Sequence, residues 1–214
     1  MLNRHARALF TRIFTPPARF LLDRGVTADA VTIIGTLGVV LGALLLFPVG
    51  ELFWGTVAIT LFIFSDVLDG VMARLAGSSG RWGSFLDSTL DRVQDAAVFL
   101  GLMLWFFGPG EMAPAGTAAA ACLILGQLVS YARAKAESLG FDANTGIAER
   151  AERLVVTLVF AGLTGLGLDP WILTVVLALL AVASAVTVGQ RMVTVYRQAR
   201  GRKPEGRAAQ WGHE

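Results

Sequence analysis

The stretch that decides the fold covers residues 52–91 and reads LFWGTVAITLFIFSDVLDGVMARLAGSSGRWGSFLDSTLD. Residues 52–65 carry no charge, which is typical of a helix in lipid, since about 20 apolar residues are needed to cross a bilayer. The rest of the stretch carries four aspartates, Asp66, Asp69, Asp87 and Asp91. An acidic side chain inside a membrane helix costs roughly 2.5–3.5 kcal/mol on insertion scales. Four such side chains close together therefore predict a shared binding partner.

The composition of the chain supports a membrane environment. Of its 214 residues, 55% are hydrophobic and only 16% are charged, and the mean hydropathy is +0.63. These values exceed what a soluble domain of this length needs for its core. All 18 Lys and Arg residues lie outside three long stretches, 25–73, 93–132 and 154–190. No basic run is interleaved with aromatic residues, which excludes a nucleic-acid-binding surface.

Six apolar segments are predicted to be membrane spans. They cover residues 28–47, 52–74, 84–107, 114–136, 152–168 and 171–191. The connections after the first, third and fifth segments contain no Lys or Arg, whereas the other connections and both ends of the chain hold nearly all the positive charge. Because positive residues are retained in the cytoplasm, we expect a multi-pass protein of the cell's inner membrane with both termini and the carboxylates on the cytoplasmic side.

The chain divides into three parts around these spans. Residues 1–24 mix arginine with large apolar residues and predict an amphipathic segment at the membrane interface, which Pro16 and Pro17 should bend. Residues 25–198 form the predicted six-helix membrane domain, and residues 199–214 a polar cytoplasmic tail. The predicted fold is therefore an all-α integral membrane protein with six transmembrane helices that follow an amphipathic juxtamembrane segment.

The four aspartates are spaced so that they can bind a metal. Asp66 and Asp69 are three positions apart and Asp87 and Asp91 are four apart, so each pair lies on one face of its helix. A helical hairpin with its tip at residues 77–80 brings both pairs to the same depth. Hard divalent cations such as Mg²⁺ or Mn²⁺ prefer oxygen ligands and would relieve the repulsion. Two other interpretations stay open: interfacial ion pairs with Arg74, Arg81 and Arg92, and the ion site of a membrane cation transporter.

The same stretch follows a more specific pattern, D-x₂-D-G-x₂-A-R-x₈-G-x₃-D-x₃-D, without a mismatch. The positions that fill it are Asp66, Asp69, Gly70, Ala73, Arg74, Gly83, Asp87 and Asp91. This pattern resembles the signature of the CDP-alcohol phosphotransferase family. The resemblance implies a fold in which the signature lies on the second and third membrane helices. It also implies an enzyme in which an alcohol attacks a phosphorus of a CDP-linked lipid and CMP is released.

The resemblance assigns roles to the signature residues. It implies two Mg²⁺ or Mn²⁺ ions bound by Asp66, Asp69 and Asp87, with Asp91 either as a further ligand or as the base that accepts the proton of the attacking hydroxyl. It places Gly70, Ala73 and Arg74 at the nucleotide pocket.

Thr32 and Asp29 precede the first span, where family members carry a Pro-Asn-x-x-Thr-like stretch that contacts cytidine. Ala28 and Asp29 replace the Pro and Asn here. Thr32 is therefore predicted to bind the CDP-lipid. Asp29 is predicted to do the same, with a role as a helix N-cap as the alternative.

The acceptor alcohol must be inferred from residues outside the signature. Lys135, Arg153 and Arg191 lie at the cytoplasmic ends of the fourth, fifth and sixth spans, at about the depth of the carboxylates. They are predicted to bind a phosphate on the acceptor, because arginine binds phosphate through a bidentate fork and lysine as a point charge. The alternative is that membrane topology alone explains basic residues at these helix ends.

Two further stretches, residues 130–136 and 146–153, resemble the phosphatidylinositol phosphate synthases within the family. That resemblance implies CDP-diacylglycerol as donor, myo-inositol 1-phosphate as acceptor, and a homodimer. The alternative within the family is phosphatidylglycerol phosphate synthase, which uses glycerol 3-phosphate. Gln94 and Asp95 lie outside the signature. Asp95 is expected to have a role at the site, to pair with a nearby arginine or to cap a polar pocket. Gln94 is expected either to contact substrate or to pack or hydrogen-bond between helices.

Overall fold

The computed structural model of the chain describes residues 2–77 and 80–201, without the side chains of residues 2–12 and of residue 66. The described residues form eight helices and no strand, which confirms the predicted all-α class. The helices are α1 (Leu2–Asp23), α2 (Ala28–Leu46), α3 (Leu52–Ile63), α4 (Ser65–Leu75), α5 (Arg81–Phe107), α6 (Ala113–Ser138), α7 (Arg150–Gly165) and α8 (Pro170–Gly201).

Four segments of the described structure are long and apolar enough to cross a membrane. They are Ala28–Leu46, Leu52–Leu75, Ala113–Ser138 and Pro170–Gly201. Their outward faces carry exposed apolar side chains, such as Leu45 at 62%, Ile124 at 60% and Leu179 at 64% exposed. A soluble protein rarely leaves this much apolar surface in water, so lipid is expected to cover it. The chain is therefore a multi-pass membrane protein.

The second predicted span is divided into two helices. α3 ends at Ile63 and α4 begins at Ser65, although the apolar pattern predicted one segment over residues 52–74. Ser65 Oγ donates a hydrogen bond to the carbonyl oxygen of Phe62 at 2.6 Å. Serine side chains that bond back to helix carbonyls often bend helices, which explains the break at Phe64.

The break lies against a glycine of α2. A Cβ atom added at Gly35 would lie only 1.8 Å from Ser65 Oγ, so the absence of a side chain allows α2 to approach the start of α4 closely. Thr32 lies one turn earlier on α2. The close approach therefore places Thr32 beside the first half of the aspartate signature.

The core is formed by the crossings of α2, α3, α5, α6, α7 and α8. α2 packs against α3, α4 and α5, and α6 packs against α5 and α8, while α7 contacts α3 and α8. The largest fully buried apolar side chains include Phe47, Leu52, Phe99, Phe106 and Leu173. α2 is the shared neighbour of the two helices that carry the signature, α4 and α5.

α1 packs against α4 and joins a second, smaller core that contains Ala18, Val31, Val71 and Met72. The chain stays helical through Pro16 and Pro17 within α1. The interfacial role of residues 1–24 remains a prediction. At the other end, α8 continues to Gly201, so the first residues of the predicted tail are helical, and residues 202–214 lie outside the described part.

Candidate active site

A cleft of about 1230 Å³ lies between α5, α6, the start of α7 and α8. Its charged lining residues are Asp91, Arg92, Arg133, Glu137, Glu149, Arg150 and Arg191. Phe85, Leu123, Ile124 and Leu128 add an apolar wall. The cleft therefore combines a carboxylate of the signature, several cations and an apolar surface, which suits a ligand with both phosphate and lipid parts.

The α4 half of the signature is anchored by α2. Asp69 is buried at 6% exposure, and Thr32 Oγ1 donates a hydrogen bond to its Oδ2 atom. The same hydroxyl also contacts the carbonyl oxygen of Ala28 at 3.1 Å. Thr32 and Asp69 were predicted as a nucleotide residue and a metal ligand, and the fold brings them into direct contact.

Two other predicted nucleotide residues also meet on α4. Arg74 Nη1 lies 3.6 Å from the position that a Cβ atom would take at Gly70, so the guanidinium lies over the glycine. Ala73 is half-buried on the same helix. This part of α4 thus presents a cation over a position without a side chain, which is suitable for contact with a phosphate.

The α5 half of the signature contains one exposed and one half-buried carboxylate. Asp87 is exposed, whereas Asp91 lies in the cleft with its side chain 18% exposed. Asp91 Oδ1 is 2.8 Å from Arg150 Nη1, and its Oδ2 is 3.7 Å from Arg92 Nη2. Of the arginines that were predicted as partners, Arg92 reaches Asp91 at 3.7 Å, but the closer partner of Asp91 is Arg150, which was not among them.

The metal site itself remains a prediction. Asp66 is in α4, but its side chain lies outside the described residues. Among the side chains that are described, no three histidine, cysteine or carboxylate groups lie close enough to hold a metal ion. The donor set nevertheless fits the chemistry of Mg²⁺ or Mn²⁺, because the signature supplies carboxylate oxygens alone.

Asp29 does not cap α2. The N-cap is Thr27, whose Oγ1 accepts a hydrogen bond from the backbone nitrogen of Ala30 at 3.2 Å. Asp29 lies in the first turn and accepts a hydrogen bond from Trp82 Nε1 at 3.0 Å. The N-cap interpretation of Asp29 is therefore wrong, and the residue connects the start of α2 to the start of α5.

The three predicted phosphate-binding cations occupy different environments. Arg191 lines the cleft, is 3% exposed, and donates to the carbonyl oxygen of Thr145 at 2.8 Å. Arg153 is 1% exposed and lies 3.7 Å from Asp95. Lys135 is exposed at the end of α6. In the described structure the cleft wall includes Arg191 but neither Lys135 nor Arg153.

Arg150 is the residue that sequence reasoning missed. It was treated as one more positive charge in a cytoplasmic connection, whereas its side chain contacts Asp91, Gln94 and Asp95 of α5. The pairing of Asp95 with a nearby arginine was an open alternative and is what the structure shows. Asp95 and Gln94 are polar residues on the core-facing side of α5, and buried polar groups need hydrogen-bonding partners. This requirement was the signal that could have indicated a cation at the start of α7.

Comparison with known proteins assigns the chain to a family. A model of the CDP-alcohol phosphatidyltransferase family matches residues 25–187. A phosphatidylinositol phosphate synthase of Streptomyces avermitilis is 52% identical over 206 residues, which cover 93% of this chain and 84% of that protein. The synthase of Cutibacterium acnes is 52% identical over 200 residues, covering 90% of this chain and 97% of that protein.

Solved structures show the same likeness. The Mycobacterium tuberculosis phosphatidylinositol phosphate synthase with CDP-DAG bound superimposes with a TM-score of 0.83 at 45% identity, covering 86% of this chain and 94% of that chain. Its complex with manganese and citrate gives a TM-score of 0.81 at 44% identity, covering 86% and 88%. With the complete aspartate signature on α4 and α5, these matches establish that the chain belongs to the CDP-alcohol phosphatidyltransferase family.

Proposed function

We propose that this chain transfers a phosphatidyl group from CDP-diacylglycerol to myo-inositol 1-phosphate, giving phosphatidylinositol phosphate and CMP. The observation that carries the proposal is the cleft in which Asp91 of the signature shares a wall with Arg191. The names of the relatives that are 52% identical support the same activity. The structure of a relative with CDP-DAG bound supports the donor.

The chemistry follows from the predicted roles of the residues. An oxygen of the acceptor forms a bond to the phosphorus that carries the diacylglycerol, and the bond from that phosphorus to CMP breaks. Two divalent ions, held by Asp66, Asp69, Asp87 and Asp91, would neutralise the charge on the attacking and leaving oxygens. Manganese in the structure of a relative supports this class of metal. Asp91 accepts the proton of the attacking hydroxyl, since a carboxylate within hydrogen-bond reach can act as a general base.

The remaining residues bind the two substrates in this proposal. Thr32, Asp29, Gly70, Ala73 and Arg74 contact the CDP part of the donor, and the contact of Thr32 with Asp69 supports this arrangement. Lys135, Arg153 and Arg191 bind the phosphate of the acceptor. Arg191 has the strongest structural support of these three, because it lines the cleft.

The proposal also includes the arrangement in the membrane. α5 has 27 residues and is therefore roughly 40 Å long at about 1.5 Å per residue, enough to cross the bilayer despite its polar first turns. α7 has 16 residues and would be the shortest of six spans. Both termini and the cleft then lie on the cytoplasmic side, residues 25–198 form the catalytic domain, and two copies form a homodimer.

The test is the release of CMP from membranes that contain the full chain. CDP-diacylglycerol is supplied with inositol 1-phosphate, with glycerol 3-phosphate, or without acceptor, and each reaction is repeated in EDTA. We expect release with inositol 1-phosphate that EDTA abolishes and that Mg²⁺ or Mn²⁺ restores. Release with glycerol 3-phosphate alone would instead identify a phosphatidylglycerol phosphate synthase.

An Asp91→Asn variant provides the control for the chemistry. The variant should insert into membranes in normal amounts but release CMP at least about a hundredfold more slowly, as expected when a general base is lost. Wild-type rates in this variant would contradict the role of Asp91. Metal uptake into vesicles without CMP release would favour the cation transporter interpretation.

A further inference from the structure

One guanidinium group connects the start of α7 to a single face of α5. Arg150 Nη1 lies 2.8 Å from Asp91 Oδ1, Nη2 donates to Gln94 Oε1 at 2.9 Å, and Nε donates to Asp95 Oδ1 at 3.0 Å. Residues three and four positions apart lie side by side on a helix, so Asp91, Gln94 and Asp95 form a continuous row. Three nitrogens of Arg150 are thus engaged by three acceptors of one helix.

Two of the three acceptors, Gln94 and Asp95, are buried and held in place. Gln94 is 1% exposed and Asp95 is 5% exposed. Gln94 Nε2 donates to Thr36 Oγ1 of α2 at 3.1 Å, so the amide oxygen is the end that faces Arg150. A buried amide that is satisfied at both ends has one favoured orientation. Gln94 and Asp95 therefore determine the direction in which Nη1 of Arg150 points.

That direction is toward the carboxylate of the signature that lies in the cleft. Asp91 and Arg150 are 18% and 25% exposed and both line the cleft, whereas Gln94 and Asp95 lie in the interior. The neighbouring cation, Arg92, approaches Asp91 only to 3.7 Å, beyond the usual length of a charged hydrogen bond. Among the described residues, Arg150 is therefore the cation in closest contact with Asp91.

We propose that Arg150 is a positioning residue of the transfer reaction, which fixes the Asp91 carboxylate in the cleft and is itself aimed by Gln94 and Asp95. The inference rests on the proposed function, in which Asp91 accepts the proton of the acceptor. A general base must be held within a fraction of an ångström of its working position, and its displacement lowers the rate of the chemical step rather than substrate binding. Arg150 thus acts on kcat through Asp91.

The test compares Arg150→Ala and Arg150→Lys with wild type in the full-length protein, with CDP-diacylglycerol and acceptor varied separately. We expect kcat to fall by about a hundredfold in Arg150→Ala, while both KM values change by less than about twofold. Arg150→Lys should recover little of the rate, because an ammonium group is a point charge and cannot engage the three acceptors at once. This variant retains the charge and therefore guards against a general failure to fold.

Arg92→Ala is the matched control for charge. It removes a cation close to the same two carboxylates, at 3.7 Å from Asp91 and 4.0 Å from Asp95, and should lower kcat by no more than about fivefold.

A second measurement does not depend on turnover. It is the thermal unfolding, in EDTA, of Arg150→Ala, Asp95→Asn and the double variant. We expect the two single losses in Tm to be non-additive, as is usual for residues in one network.

Four results would overturn the inference. A rise in the acceptor KM at unchanged kcat would make Arg150 a ligand of the acceptor instead. An equal loss of kcat in Arg92→Ala would show that the effect of Arg150 is due to its charge alone. Additive losses in Tm would show that Arg150 and Asp95 do not act together. Failure of the proposed function is a separate result, because wild type would then release no CMP with any acceptor. If wild type is active and Arg150→Ala has the same kcat, only the inference about Arg150 is contradicted.

Discussion

Single residues of the predicted phosphate site differ in how much of their side chain is available to a ligand. Lys135 is exposed at the end of α6. Arg191 is 3% exposed and donates to the backbone oxygens of Thr145 and Val129, and Arg153 is 1% exposed. Arg191 therefore has two tasks in the proposed enzyme, since it faces the cleft and also holds the loop before α7. Lys135 lies outside the cleft wall of the described structure, and its proposed role is limited to binding the acceptor phosphate.

Alanine at Lys135 or at Arg191 is expected to raise the KM for inositol 1-phosphate about tenfold, which corresponds to roughly 1.4 kcal/mol for a lost charge-assisted contact. The KM for CDP-diacylglycerol should stay within about twofold. Only Arg191→Ala should also lower the Tm, because two hydrogen bonds from a charged group are lost at about 1.5–3 kcal/mol each.

The measurements are titrations of each substrate against CMP release, together with thermal unfolding of the purified protein in detergent. Equal increases in the two KM values would contradict the assignment of Lys135 and Arg191 to the acceptor phosphate. An unchanged Tm in Arg191→Ala would show that its bonds to the loop contribute nothing.

Pairs of helices set the geometry of the site through their closest crossings. α2 contacts both halves of the signature, through Thr32 on Asp69 and through Thr36 on Gln94. α2 and α5 pack closely at Gly101, where an added Cβ atom would lie 2.4 Å from the carbonyl oxygen of Ala43. This neighbour is backbone and cannot rotate away, so the crossing depends on glycine at position 101.

Gly101→Ala is expected to separate α2 from α5, lowering stability by about 1–3 kcal/mol as is typical of overpacking. CMP release should fall with it, because the contact between Thr36 and Gln94 lies on the same pair of helices. The matched control is Gly189→Ala in α8, where nothing lies within 4 Å of the added Cβ atom. There the Tm should stay the same or rise, since alanine favours a helix over glycine by about 1 kcal/mol. A Tm loss of the same size in both variants would contradict the close crossing.

The charge asymmetry of the chain predicts the orientation of the whole molecule in the membrane. The connection from Pro48 to Glu51 lacks Lys and Arg, whereas the segment between α6 and α7 is flanked by Arg133, Lys135 and Arg150. Positive charge remains on the cytoplasmic side, so these two connections are expected on opposite faces.

Single cysteines at Glu51 and at Leu139 test this orientation, since both positions are exposed and the native Cys122 is buried. A membrane-impermeant maleimide should label Glu51→Cys in intact cells, and Leu139→Cys only after the cells are opened. Wild type serves as the blank, because its only thiol lies in the core. Labelling of Leu139→Cys in intact cells would reverse the proposed topology.

The helix positions and the family could be predicted from the sequence because both depend on neighbours along the chain. Four of the six apolar runs predicted helix bounds within about three residues of those observed, for example 114–136 against Ala113–Ser138. The exceptions are 52–74, which is divided between α3 and α4, and 171–191, since α8 continues to Gly201. The aspartate signature occupies two consecutive helical segments, so its spacing alone carried the family assignment. The fold brings Thr32 and Asp69 into contact, and the roles that the resemblance implied for them remain predictions.

The remaining features were decided by tertiary contacts between residues far apart in the chain. The approach of α2 to Ser65 at Gly35, the burial of Arg153 and Arg191, and the position of Arg150 have no local signal. Arg150 and Asp95 are separated by 55 positions, and whether they meet depends on how α7 packs beside α5. The sequence by itself determined an all-α membrane enzyme of this family. Only the packing of its helices decided which cation orients Asp91, because the partner of a buried charge is set by distance in space and not along the chain.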